Sequence, residues 1–222
     1  VSRRQVTIMF SDIRDFTSLS EKMTQRDLLF VLTRYFTVMT RIVELFEGVV
    51  AEILGDGLLI FWNTPQQVDD HAGKACAAAL AQQQAMHLLN EQLASLNLPQ
   101  LAIRIGIHTG DALSGNIGSD MKMKFGCLGD PVNLAAKLEA MCKQYGVGIL
   151  VSQATHGALP PDAGFLCRRL DRVLFKGKTE PTALYEVISR EQPADEARSR
   201  SRTGSATGGR SRGAASSGDE DL

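Results

Sequence analysis

The chain has 222 residues, 44% of them hydrophobic and 22% charged, a globular composition with enough apolar mass for one catalytic-sized core. Its formal net charge of -1 excludes a general field for nucleic acid or anionic membrane, so an anionic ligand must be held by a few placed cations. No apolar run approaches the about 18 residues that cross a membrane and no signal peptide is visible, so the segment reads as soluble and cytoplasmic, and its abrupt start is expected of a piece of a longer protein with regulatory or membrane parts upstream.

In chain order, "VTIMF" reads as a strand that runs on to Asp12, with Asp15, Phe16 and Thr17 just beyond. A carboxylate at the end of a buried strand is costly unless a cation meets it, and a metal ion is the candidate. The turn after Asp12 offers backbone N–H groups from Ile13 to Thr17 that suit phosphate oxygens, while Asp15 reads as solvent-facing or loop-capping. Residues 26–46 carry apolar side chains at helical spacing, with Thr24 as N-cap. "VVAEIL" and "LLIFW" are short strands joined by Gly55-Asp56-Gly57, a hairpin tip because glycine tolerates positive φ. The Ala-, Gln- and Leu-rich run 68–96 is a second long helix. "LAIRIGIHTG" places Leu101, Ile103, Ile105 and Ile107 on one face and Arg104 and His108 on the other, which predicts a half-buried strand. "GDPVNLAAKLEAMCKQYG" is a helix with Pro131 in its first turn and Gly146 just past its end, and "GILVS", "FLCRRLDRVLF" and "ALYEVI" supply closing strands.

The order β, α, β-hairpin, α, β predicts an α+β fold with a ferredoxin-like βαββαβ sheet and helices on one face. The end of the first strand and the hairpin tip are then neighbours, which brings Asp12 beside Asp56. Two such carboxylates suit a pair of divalent ions about 3.5–4 Å apart, the arrangement used for in-line displacement at phosphorus. Residues 1–190 are expected to form the catalytic domain, and the Ser-, Gly- and Arg-rich residues 191–222 a disordered tail. Cys76, Cys127, Cys142 and Cys167 lack Cys-x-x-Cys spacing and read as free buried thiols in a reducing compartment. His71, His87, His108 and His156 show no ligand spacing and read as structural.

The stretches "FSDIRDFT", "EILGDGLLIFW", "RIGIHTGDALSGNIG", "GDPVNLAAKLE" and "LFKGKTEPTALYEV" resemble, in order and nearly in spacing, the motifs of class III nucleotidyl cyclase catalytic domains over about residues 5–188. "VNLAAKLE" after "GNIGS" is more similar to the bacterial-type branch. The resemblance implies a cyclisation in which the ribose 3′-hydroxyl attacks the α-phosphorus of its own nucleotide and pyrophosphate leaves. It implies two Mg2+ or Mn2+ ions held by Asp12, Asp56 and the Ile13 carbonyl, with Phe16 and Thr17 in the substrate loop. It further implies Arg104 and Lys176 as cations for the triphosphate, and Asn133 as the residue that orients the ribose. The family's site lies between two subunits, so Asn133 and its helix would come from the homodimer partner of the chain that supplies Asp12.

The family's base-selecting positions fall on Glu52 and Gly126. Guanine presents two donors, N1–H and the 2-amino group, which a carboxylate accepts as a fork, whereas adenine presents an acceptor at N1 that a carboxylate repels. Glu52 therefore argues for GTP, while Gly126 offers no side chain to either purine. Lys137 departs from the family's transition-state arginine: it keeps a unit charge but loses the planar fork. The expectation is a homodimeric guanylate cyclase. The alternatives are an adenylate cyclase and a degenerate domain that binds nucleotide and metal but regulates a partner.

Overall fold

Alternating apolar residues build β1 (Ser2–Ile13) in the computed structural model, which describes residues 1–191. The tail expectation falls on 192–222, outside the described residues. A five-residue helix, α1 (Phe16–Ser20), leads into α2 (Gln25–Leu45), whose first turn is closed by the Thr24 side chain accepting from the Asp27 N–H. Next come the hairpin strands β2 (Val49–Leu54) and β3 (Gly57–Trp62), then α3 (His71–Ser95), which completes the βαββαβ unit with β4 (Ile103–Ser119). Gly55 takes φ +66° in the hairpin turn, where Leu54 pairs with Gly57. The chain continues through β5 (Lys122–Leu128), α4 (Asp130–Tyr145), β6 (Ile149–Ser152), α5 (Gln153–Gly157), β7 (Phe165–Val173) and β8 (Thr182–Arg190).

The sheet runs β2-β3-β1-β4-β6-β8-β7, with β5 paired to β4. Its first four strands are antiparallel and ordered as the ferredoxin-like unit requires. On one face Met9, Ile13, Leu58, Ile60, Trp62, Ile103, Ile105 and Ile107 pack with residues of α2 and α3, the helices of the unit. On the other, Val6, Ile8, Leu59 and Phe61 pack with Ala135 of α4, which follows the unit in the chain.

That second layer corrects one expectation. The stretch 105–109 of β4 is buried on both faces rather than half-buried, because α4 covers the face that carries Arg104 and His108. Two sequence features let it sit so close. Ala135 is small, and a Cβ on Gly106 would fall 2.1 Å from the Glu139 nitrogen and 2.5 Å from the Ala135 carbonyl oxygen. Pro131 starts the helix and Gly146, at φ +66°, ends it as the sequence implied. Among the described residues no helix is long and apolar enough to cross a membrane.

The neighbours of Gly106 are backbone atoms that cannot rotate away, so Gly106→Ala must push α4 off β4. Overpacking of this kind costs about 1–3 kcal/mol or more. Denaturant unfolding of the variant should show a loss of that size. An unchanged midpoint would mean that α4 is not seated as described.

Candidate active site

Register places the first two carboxylates. Ser11 of β1 pairs with Leu58 of β3, so Asp12 falls beside Gly57 and next to Asp56 at the hairpin tip. The two side chains crowd each other, and the Asp56 carboxyl is pushed up to about 6, first by burial and then by the neighbouring Asp12 carboxyl; N–H groups of Asp56 itself and of Ile13 pull the other way. Arg104 lies opposite Asp12 across β1 and β4. Its Nη2 donates to Asp12 Oδ2 at 3.1 Å and its Nε to Glu139 Oε1 of α4 at 2.8 Å. These groups line an open cleft of about 370 Å³ together with Ile13, Phe16, Thr17, Asp15 and Lys143.

The turn after Asp12 has fewer free donors than expected. The Arg14 N–H donates to the Ala102 carbonyl at 2.7 Å and is unavailable, while the first N–H groups of α1, Phe16 and Thr17, have no acceptor within the helix. Asp15 turns the chain with φ +53°, does not cap α1 with its side chain, and faces Lys143 at 3.6 Å.

Glu52, Gly126, Asn133, Lys137 and Lys176 do not line this cleft. Glu52 is aimed by a β-bulge: Val50 pairs with Ile60 and Glu52 with Leu59, which leaves Ala51 as the extra residue. Residues paired across antiparallel strands share a face, so Glu52 joins Leu59 on the α4 side of the sheet, where Lys124 of β5 donates to its Oε2 at 2.7 Å. Gly126 lies two residues along β5 with open space beside it; a Cβ there would meet only Ile117 Cδ1, at 3.6 Å. Asn133 and Lys137 are exposed one turn apart on α4, and Lys137 Nζ sits 6.0 Å from the centre of the Phe175 ring, next to exposed Lys176. One chain therefore carries two separate groups: Asp12, Ile13, Phe16, Thr17, Asp56 and Arg104 in the cleft, and the other five outside it.

Two participants were missed from sequence. Glu139 follows Lys137 by two residues and reads as an ordinary polar helix position, yet burial pushes its carboxyl up while Arg104 draws it back. Lys124 was not singled out, and the alternation that puts it on the Gly126 face was the available clue. The four cysteines are free, with Cys76, Cys127 and Cys142 buried and their thiols raised by that burial. His71 bonds Thr7, His108 bonds Ser152, both at 2.7 Å, and His156 stacks on Tyr185.

The donor set fits divalent ions. Among the described residues no group of three or more His, Cys, Asp or Glu side chains forms a closed cage. The cleft instead offers two mutually repelling carboxylates and open space, which matches the habit of Mg2+ to bind one or two carboxylates and complete its shell with water and phosphate oxygens.

With this geometry in place, comparison with known proteins defines the class. Residues 2–188 match the family described as adenylate and guanylate cyclase catalytic domain. The chain belongs to that family. It is 34% identical over 186 residues to adenylate cyclase 1 of Rhizobium meliloti, covering 84% of this chain and 28% of that protein, so it spans little more than a quarter of the relative's length. Among solved structures it is similar to the guanylyl cyclase Cya2, with TM-score 0.77 and 32% identity over 87% of this chain and 96% of that one. It is equally similar to the adenylyl cyclase CyaB of P. aeruginosa, with TM-score 0.78 and 30% identity over 86% and 96%.

His108 gives the domain a pH signature. Burial lowers its imidazole from 6.5 to about 4, Lys178 adds to the effect and Asp130 opposes it. Between those values the unfolded chain binds a proton that the folded chain does not, so stability falls as pH drops through the window, by about 1.4 kcal/mol per pH unit from this group. His108→Gln should lose less unfolding free energy than the wild type between pH 6.5 and 4. Parallel curves would remove His108 as the source.

Proposed function

We propose that this domain is a guanylate cyclase that converts GTP to 3′,5′-cyclic GMP and pyrophosphate at sites shared by two copies of the chain. The observation that carries the reading is the partition of the site residues: the carboxylates and Arg104 occupy one cleft, while the ribose and base residues of the family pattern lie outside it. A complete constellation then needs the cleft of one copy and the exposed face of α4 and β5 from another. Two Mg2+ or Mn2+ ions held by Asp12, Asp56 and the Ile13 carbonyl would neutralise triphosphate charge and acidify the 3′-hydroxyl. Arg104 and Lys176 grip the triphosphate from opposite sides of the shared site, and the N–H groups of Phe16 and Thr17 add donors at its edge. Asn133 orients the ribose so that the 3′-oxygen lies in line with the α-phosphorus and the departing pyrophosphate. Lys137, one turn along, places a positive charge where the α-phosphate gains charge, without the two-pronged bond an arginine makes.

Base choice rests on Glu52. The bulge and the Lys124 bond hold its carboxylate on the face that would meet the base, where it accepts from guanine N1–H and the 2-amino group and repels adenine N1. Gly126 leaves space there and adds no side-chain bond for either purine.

The test is the ratio of kcat/KM for GTP over ATP, since discrimination lives in that ratio. The unmodified domain should favour GTP. Glu52→Lys should damage GTP turnover, because an ammonium confronts two donors, and Glu52→Lys with Gly126→Asp should move the ratio towards ATP. A wild type that prefers ATP, or a ratio untouched by the double change, would show that Glu52 does not read the base.

A further inference from the structure

Arg104 is held asymmetrically. Its Nε–H edge donates to Glu139 between side chains 12% and 14% exposed, whereas its Nη2 donates to Asp12, 31% exposed, on the side of the cleft. Glu139 is fixed by its own backbone, which rests on β4 where Gly106 leaves no room for a Cβ. One turn along, the Cys142 thiol donates to the Ile105 carbonyl at 3.4 Å and holds the same helix to the same strand. One edge of the guanidinium thus meets the better buried carboxylate of the cleft wall and the other edge the more exposed one.

We infer that Glu139 is a positioning residue: it keeps Arg104 by the Nε edge so that the Nη edge can leave Asp12 and grip the triphosphate once a divalent cation has taken that carboxylate. This rests on the nucleotide site proposed above. Asp12 cannot serve a guanidinium and a divalent ion at full strength together. A guanidinium this buried cannot release a carboxylate without another anion to keep it paired. Glu139 supplies that anion and, through the bond to Nε, sets the plane in which the other edge meets phosphate oxygens. Without the Glu139 charge, Arg104 closes on Asp12 and competes with the cation. Glu139 acts through Arg104.

The test measures binding rather than turnover, by calorimetry on the full chain in Mn2+, with 3′-deoxy-GTP and 3′-deoxy-ATP, which lack the attacking hydroxyl. Glu139→Gln keeps the shape and an acceptor but removes the charge. It should raise the Kd of the tighter analogue by roughly tenfold and raise the Mn2+ concentration needed for half-saturation, while the unfolding temperature stays close to wild type. Glu139→Asp should recover part of the affinity. In an Arg104→Ala background the Gln change should alter Kd little, as expected when one residue acts through the other. Unchanged binding in Glu139→Gln, or an equal loss with and without Arg104, overturns the inference and leaves the nucleotide site standing. A wild type that binds neither analogue overturns both.

Discussion

The surroundings of Arg104 depend on how closely α4 sits on β4. Gly106 and Ala135 remove the side-chain bulk that would hold helix and strand apart, and the backbone of Glu139 comes to rest where a Cβ on Gly106 would be. That single contact buries the Arg104 face of β4, turns Arg104 along the sheet towards Asp12, and fixes the height at which Asn133 and Lys137 leave the helix. Packing interiors tolerate little rearrangement, so a helix seated this tightly behaves as a rigid beam. It presents one set of side chains to its own cleft and another set outward.

The charges combine that seating with the β1–β3 register. Asp12 and Asp56 crowd each other, and with Glu139 nearby they leave the cleft with more negative than positive charge before any cation enters. Arg104 meets part of that excess, and the raised Asp56 carboxyl reflects the remainder. Carboxylates crowded in this way perturb one another, a pattern that clusters at functional sites.

Much of this was legible in the sequence. The apolar run ending on Asp12, the glycine-framed Asp56 and the βαββαβ order sufficed to bring two carboxylates together, because strand order and hairpin tips are set by local pattern. Pro131 and Gly146 marked the ends of α4 for equally local reasons. What stayed hidden depends on contacts distant in sequence. The bulge at Ala51 inverts the face on which Glu52 stands, and nothing in "VVAEIL" distinguishes it from a regular strand. Likewise Gly106 gave no sign that a helix from thirty residues later would cover it, so β4 read as half-buried and Glu139 drew no attention. The N–H of Arg14 looked free because its acceptor, Ala102, belongs to the start of another element.

On the proposed reading a working site needs two copies of the chain, one supplying the carboxylates and the other the outward face of α4. Mixing Asp12→Ala chains with Asn133→Ala chains tests it most directly, with each variant first shown to be folded and inactive alone and heterodimers shown to form. Cyclic nucleotide should then appear in the mixture, because each heterodimer holds one site with intact carboxylates and an intact asparagine beside one site lacking both. Heterodimers that make no product would contradict the shared site and return the account to a single-chain arrangement.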